Sequence, residues 1–292
     1  MTFLAKSLQG VDVHRLQQIV KWTVYTLLIV NFGFYIWEDV NRAIHTLHAA
    51  STLFDWTTEF ATTIDTLAWF TLLLMFELET YLLDDAQWKR WVERTVHGLR
   101  LLCYAMLLHT VVAYGDTVRK YTPTLPVTNA AELCDLADDG VSFVYNLEYT
   151  EITADNCSTL SGESEFFKLG SKDPLVSTFA GLELARDLAW ADMIEVLVWL
   201  VIVLSIEKVV RLQGRGVTGG RLMSTLNAAK LVSYGILFVL AVYWAGLGHW
   251  LYTWDTFLWV AGFAVIEMNV SEWRDELLGE QSADQATAAV LE

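Results

Sequence analysis

Apolar residues along this chain gather into six long runs separated by polar stretches: Ile19–Glu38, Phe60–Leu83, Gly98–Tyr114, Leu188–Val209, Leu226–Gly246 and Leu251–Val270. An α-helix rises about 1.5 Å per residue, so about 20 apolar residues match a bilayer core about 30 Å thick. A soluble core does not need runs of this length. The pattern predicts an all-α integral membrane protein with six transmembrane helices. One segment breaks the helical rhythm. Val141, Phe143, Tyr145, Leu147 and Tyr149 alternate with Ser142, Asn146, Glu148 and Thr150, the period of a half-buried strand. With Pro123 and Pro126 marking an irregular entry, this predicts a small α+β cap over 116–187.

The runs also repeat. The second, fourth and sixth share an acid, three residues, Trp, seven residues and Glu: Asp65–Trp69–Glu77, Glu195–Trp199–Glu207 and Asp255–Trp259–Glu267. The first, third and fifth share a base, three residues, Tyr, nine residues and an aromatic: Lys21–Tyr25–Tyr35, Arg100–Tyr104–Tyr114 and Lys230–Tyr234–Trp244. The step from the Glu of one pair to the base of the next is 23 residues both times. Joint recurrence of this kind is the mark of a triplicated unit. The chain then reads as an N-terminal segment 1–18, hairpins 19–83, 98–209 and 226–270, and an acidic tail 271–292. The cap is an insertion in the second hairpin.

Helix geometry sets these residues at matched depths. Base to second aromatic is about 21 Å of helix, and acid to Glu is about 18 Å. Because paired helices run antiparallel, an inner tier is expected to pair Lys21 with Glu77, Arg100 with Glu207, and Lys230 with Glu267. An outer tier sets Tyr35, Tyr114 and Trp244 beside Asp65, Glu195 and Asp255.

Composition agrees with a membrane protein: 54% of the 292 residues are hydrophobic and the mean hydropathy is +0.37. Basic residues concentrate in the linkers 84–97 and 208–225, which the positive-inside rule places in the cytoplasm. Both termini are expected to be cytoplasmic in the plasma (inner) membrane, with 116–187 outside. No apolar region precedes Ile19, so the first helix is expected to serve as an uncleaved insertion signal. Cys134 and Cys157 fall in the outer segment, where a disulfide is expected, and Cys103 fills the third span. A net charge of −16, carried mostly by the cap and the tail, excludes nucleic acid as a partner.

The candidate chemistry lies in the buried charges. An ionised group in a bilayer costs from a few kcal/mol upward, so it is paired or functional. Each hairpin has one base for two acids, which leaves Asp65, Glu195 and Asp255 with only a neutral donor. Desolvated carboxyls of this kind hold protons or cations, and three in a ring form a recurrent ion path. The expected function is therefore a channel or transporter for a monovalent cation or proton. His109 is a polar residue within the third span, expected to be hydrogen-bonded. The alternative is a non-transporting subunit or sensor whose charge pairs glue the bundle and whose acidic cap binds a protein partner. Neither P-loop, dinucleotide glycine fingerprint nor HExxH occurs, so no cofactor, metal or catalytic residue is implied. His45 and His48 lack a third ligand in sequence.

Overall fold

The computed structural model describes residues 13–78, 90–128, 130–137, 139–171, 173–213, 215–217 and 219–264. It is mostly helical with a small mixed sheet. The helices are α1 (Val13–Thr46), α2 (Leu53–Glu59), α3 (Ala61–Glu77), α4 (Arg90–Tyr121), α5 (Cys157–Leu160), α6 (Phe179–Gln213) and α7 (Arg221–Gly246). Residues 250–264 form α8.

Each apolar run falls on a helix, although Phe60–Leu83 and Leu251–Val270 extend past the described residues. Among the described residues, two helices, α4 over 94–121 and α7, are long and apolar enough to cross a membrane. In each, only 28% of the most apolar stretch is buried. Apolar side chains point outward on other helices too, among them Ile29 and Trp37 of α1 and Leu204 of α6. Leu101 and Leu231 are 71% and 73% exposed.

The chain divides into two compact units: a central unit, Phe32–Val196, and a terminal unit, Met1–Asn31 with Leu197–Glu292.

The central unit contains the cap. Its strands are β1 (Leu125–Pro126), β2 (Ser142–Tyr145), β3 (Glu148–Glu151), β4 (Phe167–Lys168) and β5 (Leu175–Ser177). Their order is β1-β4-β5-β2-β3, with β2 parallel to β5 and the other pairs antiparallel. The single alternating strand expected over 141–150 is instead a hairpin. Asn146 and Leu147 turn it with φ of 52° and 64°, the left-handed pair that a two-residue loop demands. Ser142, Phe143 and Val144 are all buried because β2 is interior to the sheet and packed on both faces. On one side lie Leu133, Leu136, Ile152 and Phe166, stapled by the Cys134–Cys157 disulfide (Cα–Cα 4.9 Å). On the other, Val144 and Leu175 pack with Leu182 and Ala185 of α6.

Polar groups tie this unit together. Arg186 of α6 donates to the carbonyls of Tyr121 (2.7 Å) and Thr122 (2.8 Å), capping the C-terminus of α4 where carbonyls lack helical partners. Thr52 and Asp55 form a capping box that starts α2. Gly181 is required by close approach, since a Cβ there would lie 2.0 Å from Ser177 Oγ.

The terminal unit is packed through aromatic rings. Trp244 of α7 is 1% exposed and meets His249 and Tyr252 edge-on. Trp199 stacks on Phe263 at 5.4 Å. Thr253 Oγ1 donates to the Ala241 carbonyl at 3.0 Å, across the turn made by Gly248 at φ 87°.

Candidate functional site

A dense polar cluster in the central unit begins with Arg42. Asp39 and Arg42, three apart on α1, share one helix face. Arg42 Nη2 donates to Asp39 Oδ1 at 2.9 Å, Nε donates to Glu59 Oε2 at 3.0 Å, and Nη2 also reaches the Glu59 carbonyl. The second Asp39 oxygen accepts from Thr63 N–H (2.9 Å) and Thr63 Oγ1–H (2.7 Å). Asp39 is 2% exposed, so this full set of donors is what keeps a buried carboxylate tolerable.

Beside Arg42 lies a cavity of about 60 Å³. Helix α1 contributes Arg42, α2 contributes Thr58 and Glu59, α4 contributes Tyr114 and Tyr121, and α6 contributes Asp192. The cap adds Asn146, Leu147 and Tyr149 from its hairpin. A water needs only about 10–15 Å³ of such space, so the chamber has room for a small hydrated guest.

The lining is electrostatically uneven. Thr58 Oγ1 is buried and has no hydrogen-bond partner. No described residue donates a hydrogen bond to Asp192, which faces the charges of Glu195 and Arg42. Tyr114 sits in the field of Asp192, Asp65 and Asp39, its hydroxyl 3.3 Å from Thr62 Oγ1. Burial pushes the Tyr149 phenol up to about 12, with Arg42 opposing and Glu59 adding to the shift.

The expected site residues divide between the units. In the central unit, Asp65 accepts from Trp69 Nε1 at 3.0 Å, Tyr35 is buried on α1, and Glu195 lies one turn from Asp192. Tyr114 lines the chamber, while Asp65 and Glu195 act on it only through charge, Asp65 on Tyr114 and Glu195 on Asp192. In the terminal unit, Asp255 accepts from Asn31 Nδ2 at 2.8 Å. Trp244 is the buried centre of its aromatic group. Of the inner tier, Lys21 lies 6.0 Å from the Tyr25 ring, Lys230 is buried on α7, and Glu207 is bridged by Arg211 one turn on. Arg100 is on α4, Glu77 ends α3, and Glu267 lies outside the described residues.

His109 has its Nε2 buried without a hydrogen-bond partner, so the bonding expected for it is not met at that atom. His45 is held by Ser142 Oγ at 2.9 Å and stacks on Tyr149. Among the described residues, no three metal-ligating side chains converge.

Sequence reasoning passes over Asp39, Arg42, Thr58, Glu59 and Asp192. The repeat spacing selects Glu195 and so draws attention from Asp192, although Asp192 stands inside an apolar run and carries the same signal. Arg42 and Glu59 fall just outside the runs, where charged residues are ordinary.

The chain matches no protein-family model, no curated protein and no solved structure.

Proposed function

We propose that this chain is a multi-pass membrane protein that passes a monovalent cation or proton through the chamber of its central unit. Six spans arranged as three hairpins, with cytoplasmic termini and the cap outside, form the frame of this reading. The outward apolar surface of the helices supports it, because contiguous exposed apolar area on this scale marks contact with lipid or another apolar partner. The buried Trp69, Trp199 and Trp259, at equivalent repeat positions, support the triplication.

The observation that carries the transport reading is the chamber itself. Asp192 and Glu59 line a polar space, with Glu195 acting on Asp192 and Asp65 on Tyr114 through charge. An acid there, with no donor to hold it, exchanges protons or cations more readily than one locked in an ion pair.

The sensor or subunit reading draws on a different observation: Arg42 satisfies Asp39 and Glu59 so fully that this half of the cluster is structural. Proteoliposomes decide between them. Proton or alkali-cation flux into vesicles holding the native chain, reduced at least about tenfold by Asp192→Asn with Glu195→Gln, supports the conduit. Folded native protein that passes neither ion under an imposed pH gradient and voltage rejects it.

A further inference from the structure

The chamber's chemistry is narrower than a general cation path requires, and we infer that it binds an ammonium-type cation: the ammonium ion or a short primary amine. This rests on the cation reading above and names the class of cation.

Charge comes first. Two carboxylates, Glu59 and Asp192, line the chamber against one guanidinium, and that guanidinium is already committed to Asp39 and Glu59. The lining is short of positive charge.

Hydrogen bonding comes second. Thr58 is 6% exposed, yet its Oγ1 has no partner. Asp192 accepts no hydrogen bond from a described residue. Thr58 Oγ1 is a buried acceptor that a guest must satisfy, since a buried polar atom left unmatched costs roughly 1–3 kcal/mol, and the half-buried Asp192 carboxylate faces the same space. An ammonium nitrogen carries several N–H donors, and an alkali ion carries none.

The third feature is aromatic. Tyr114, Tyr121 and Tyr149 contribute three rings to one small space. Ring faces attract ammonium-type cations, and cages of such rings with a nearby carboxylate are a recurrent way to recognise them. A cavity of about 60 Å³ suits a guest of one to three heavy atoms rather than a long polyamine. The Asn146–Leu147 turn, held in left-handed conformation over the chamber, is part of its wall.

The test is binding, read separately from flux. The full chain in phosphatidylcholine nanodiscs is titrated with methylammonium chloride, and with sodium and potassium chloride at equal ionic strength, while thermal unfolding is followed. Methylammonium is expected to give a saturable rise in unfolding temperature that sodium does not. Asp192→Asn weakens that binding at least about tenfold, through loss of the charge-assisted hydrogen bond. Tyr149→Leu weakens it about tenfold and Tyr149→Phe by less than about threefold, because the ring rather than the hydroxyl does the holding. Should Asp192→Asn fail to fold, the isosteric Thr58→Val replaces it, with several-fold weaker binding expected. Equal stabilisation by sodium and methylammonium overturns the inference, as does a folded native chain that no cation stabilises. Methylammonium binding without flux of any ion removes the conduit and leaves the site. Proton flux without methylammonium binding overturns the site and leaves the conduit.

Discussion

The two units treat an acid within an apolar run in opposite ways. In the terminal unit, Asp255 faces the Asn31 amide at 2.8 Å, a neutral donor placed by helix packing. In the central unit, Asp192 lines a chamber, receives no hydrogen bond from a described residue, and has another carboxylate one turn away. Both acids stand in apolar runs, Asp255 at a repeat position and Asp192 three residues before one. What differs is the neighbourhood: the cap insertion adds Tyr149 and a tight turn to the central unit, and Arg42 organises the floor. On the proposed reading, the site thus follows from the inserted segment and its contacts rather than from the repeat.

The comparison is broken most severely at Arg42. Arg42→Met leaves Asp39 and Glu59 without their cation, and should destabilise the central unit by about 3–5 kcal/mol. Asn31→Leu removes one hydrogen bond in the terminal unit and should cost about 1–3 kcal/mol. Reversible detergent denaturation of the two variants gives both values, and an equal loss would deny the difference between the units. Replacing Cys134 and Cys157 by Ala removes a cross-link spanning 23 residues, worth about 3 kcal/mol to the cap. Limited proteolysis should then cut within the cap and spare the terminal unit. Gly181→Ala drives a methyl into Ser177 and should cost about 1–3 kcal/mol, recovered in part by adding Ser177→Ala.

The smallest effect is a titration. Burial keeps the Tyr149 phenol neutral to about 12 against an ordinary value of 10. Stability from this group is present below the ordinary value and is lost as pH rises through the shifted one. Ultraviolet absorbance of native protein minus Tyr149→Phe should show one phenol ionising near pH 12, and a transition near pH 10 would mean that the chamber is open to water.

Much of the helical frame is legible in the sequence, because a run of apolar residues long enough for a bilayer leaves the backbone little alternative to helix. The Cys134–Cys157 disulfide follows from two cysteines sharing one segment. The hairpin at Asn146–Leu147 is not legible. Its left-handed turn lacks the glycine that ordinarily announces one, and alternation continues through it as though the strand were single. The chamber is hidden for a related reason. Arg42, Thr58, Glu59 and Asp192 are far apart in sequence, and only the packing of α1, α2 and α6 under the cap brings them together. Repeat logic favours positions that recur, whereas Asp192 and Tyr149 matter because they do not.

The most direct test of this account compares the two acids in one assay. Proteoliposomes of native chain, Asp192→Asn and Asp255→Asn are given the same pH gradient and voltage, and internal pH and cation content are recorded. Asp192→Asn should abolish flux while Asp255→Asn retains at least about half of it, since Asp255 is held by a structural hydrogen bond. Flux that survives Asp192→Asn and is lost with Asp255→Asn would contradict it and move the path to the terminal unit.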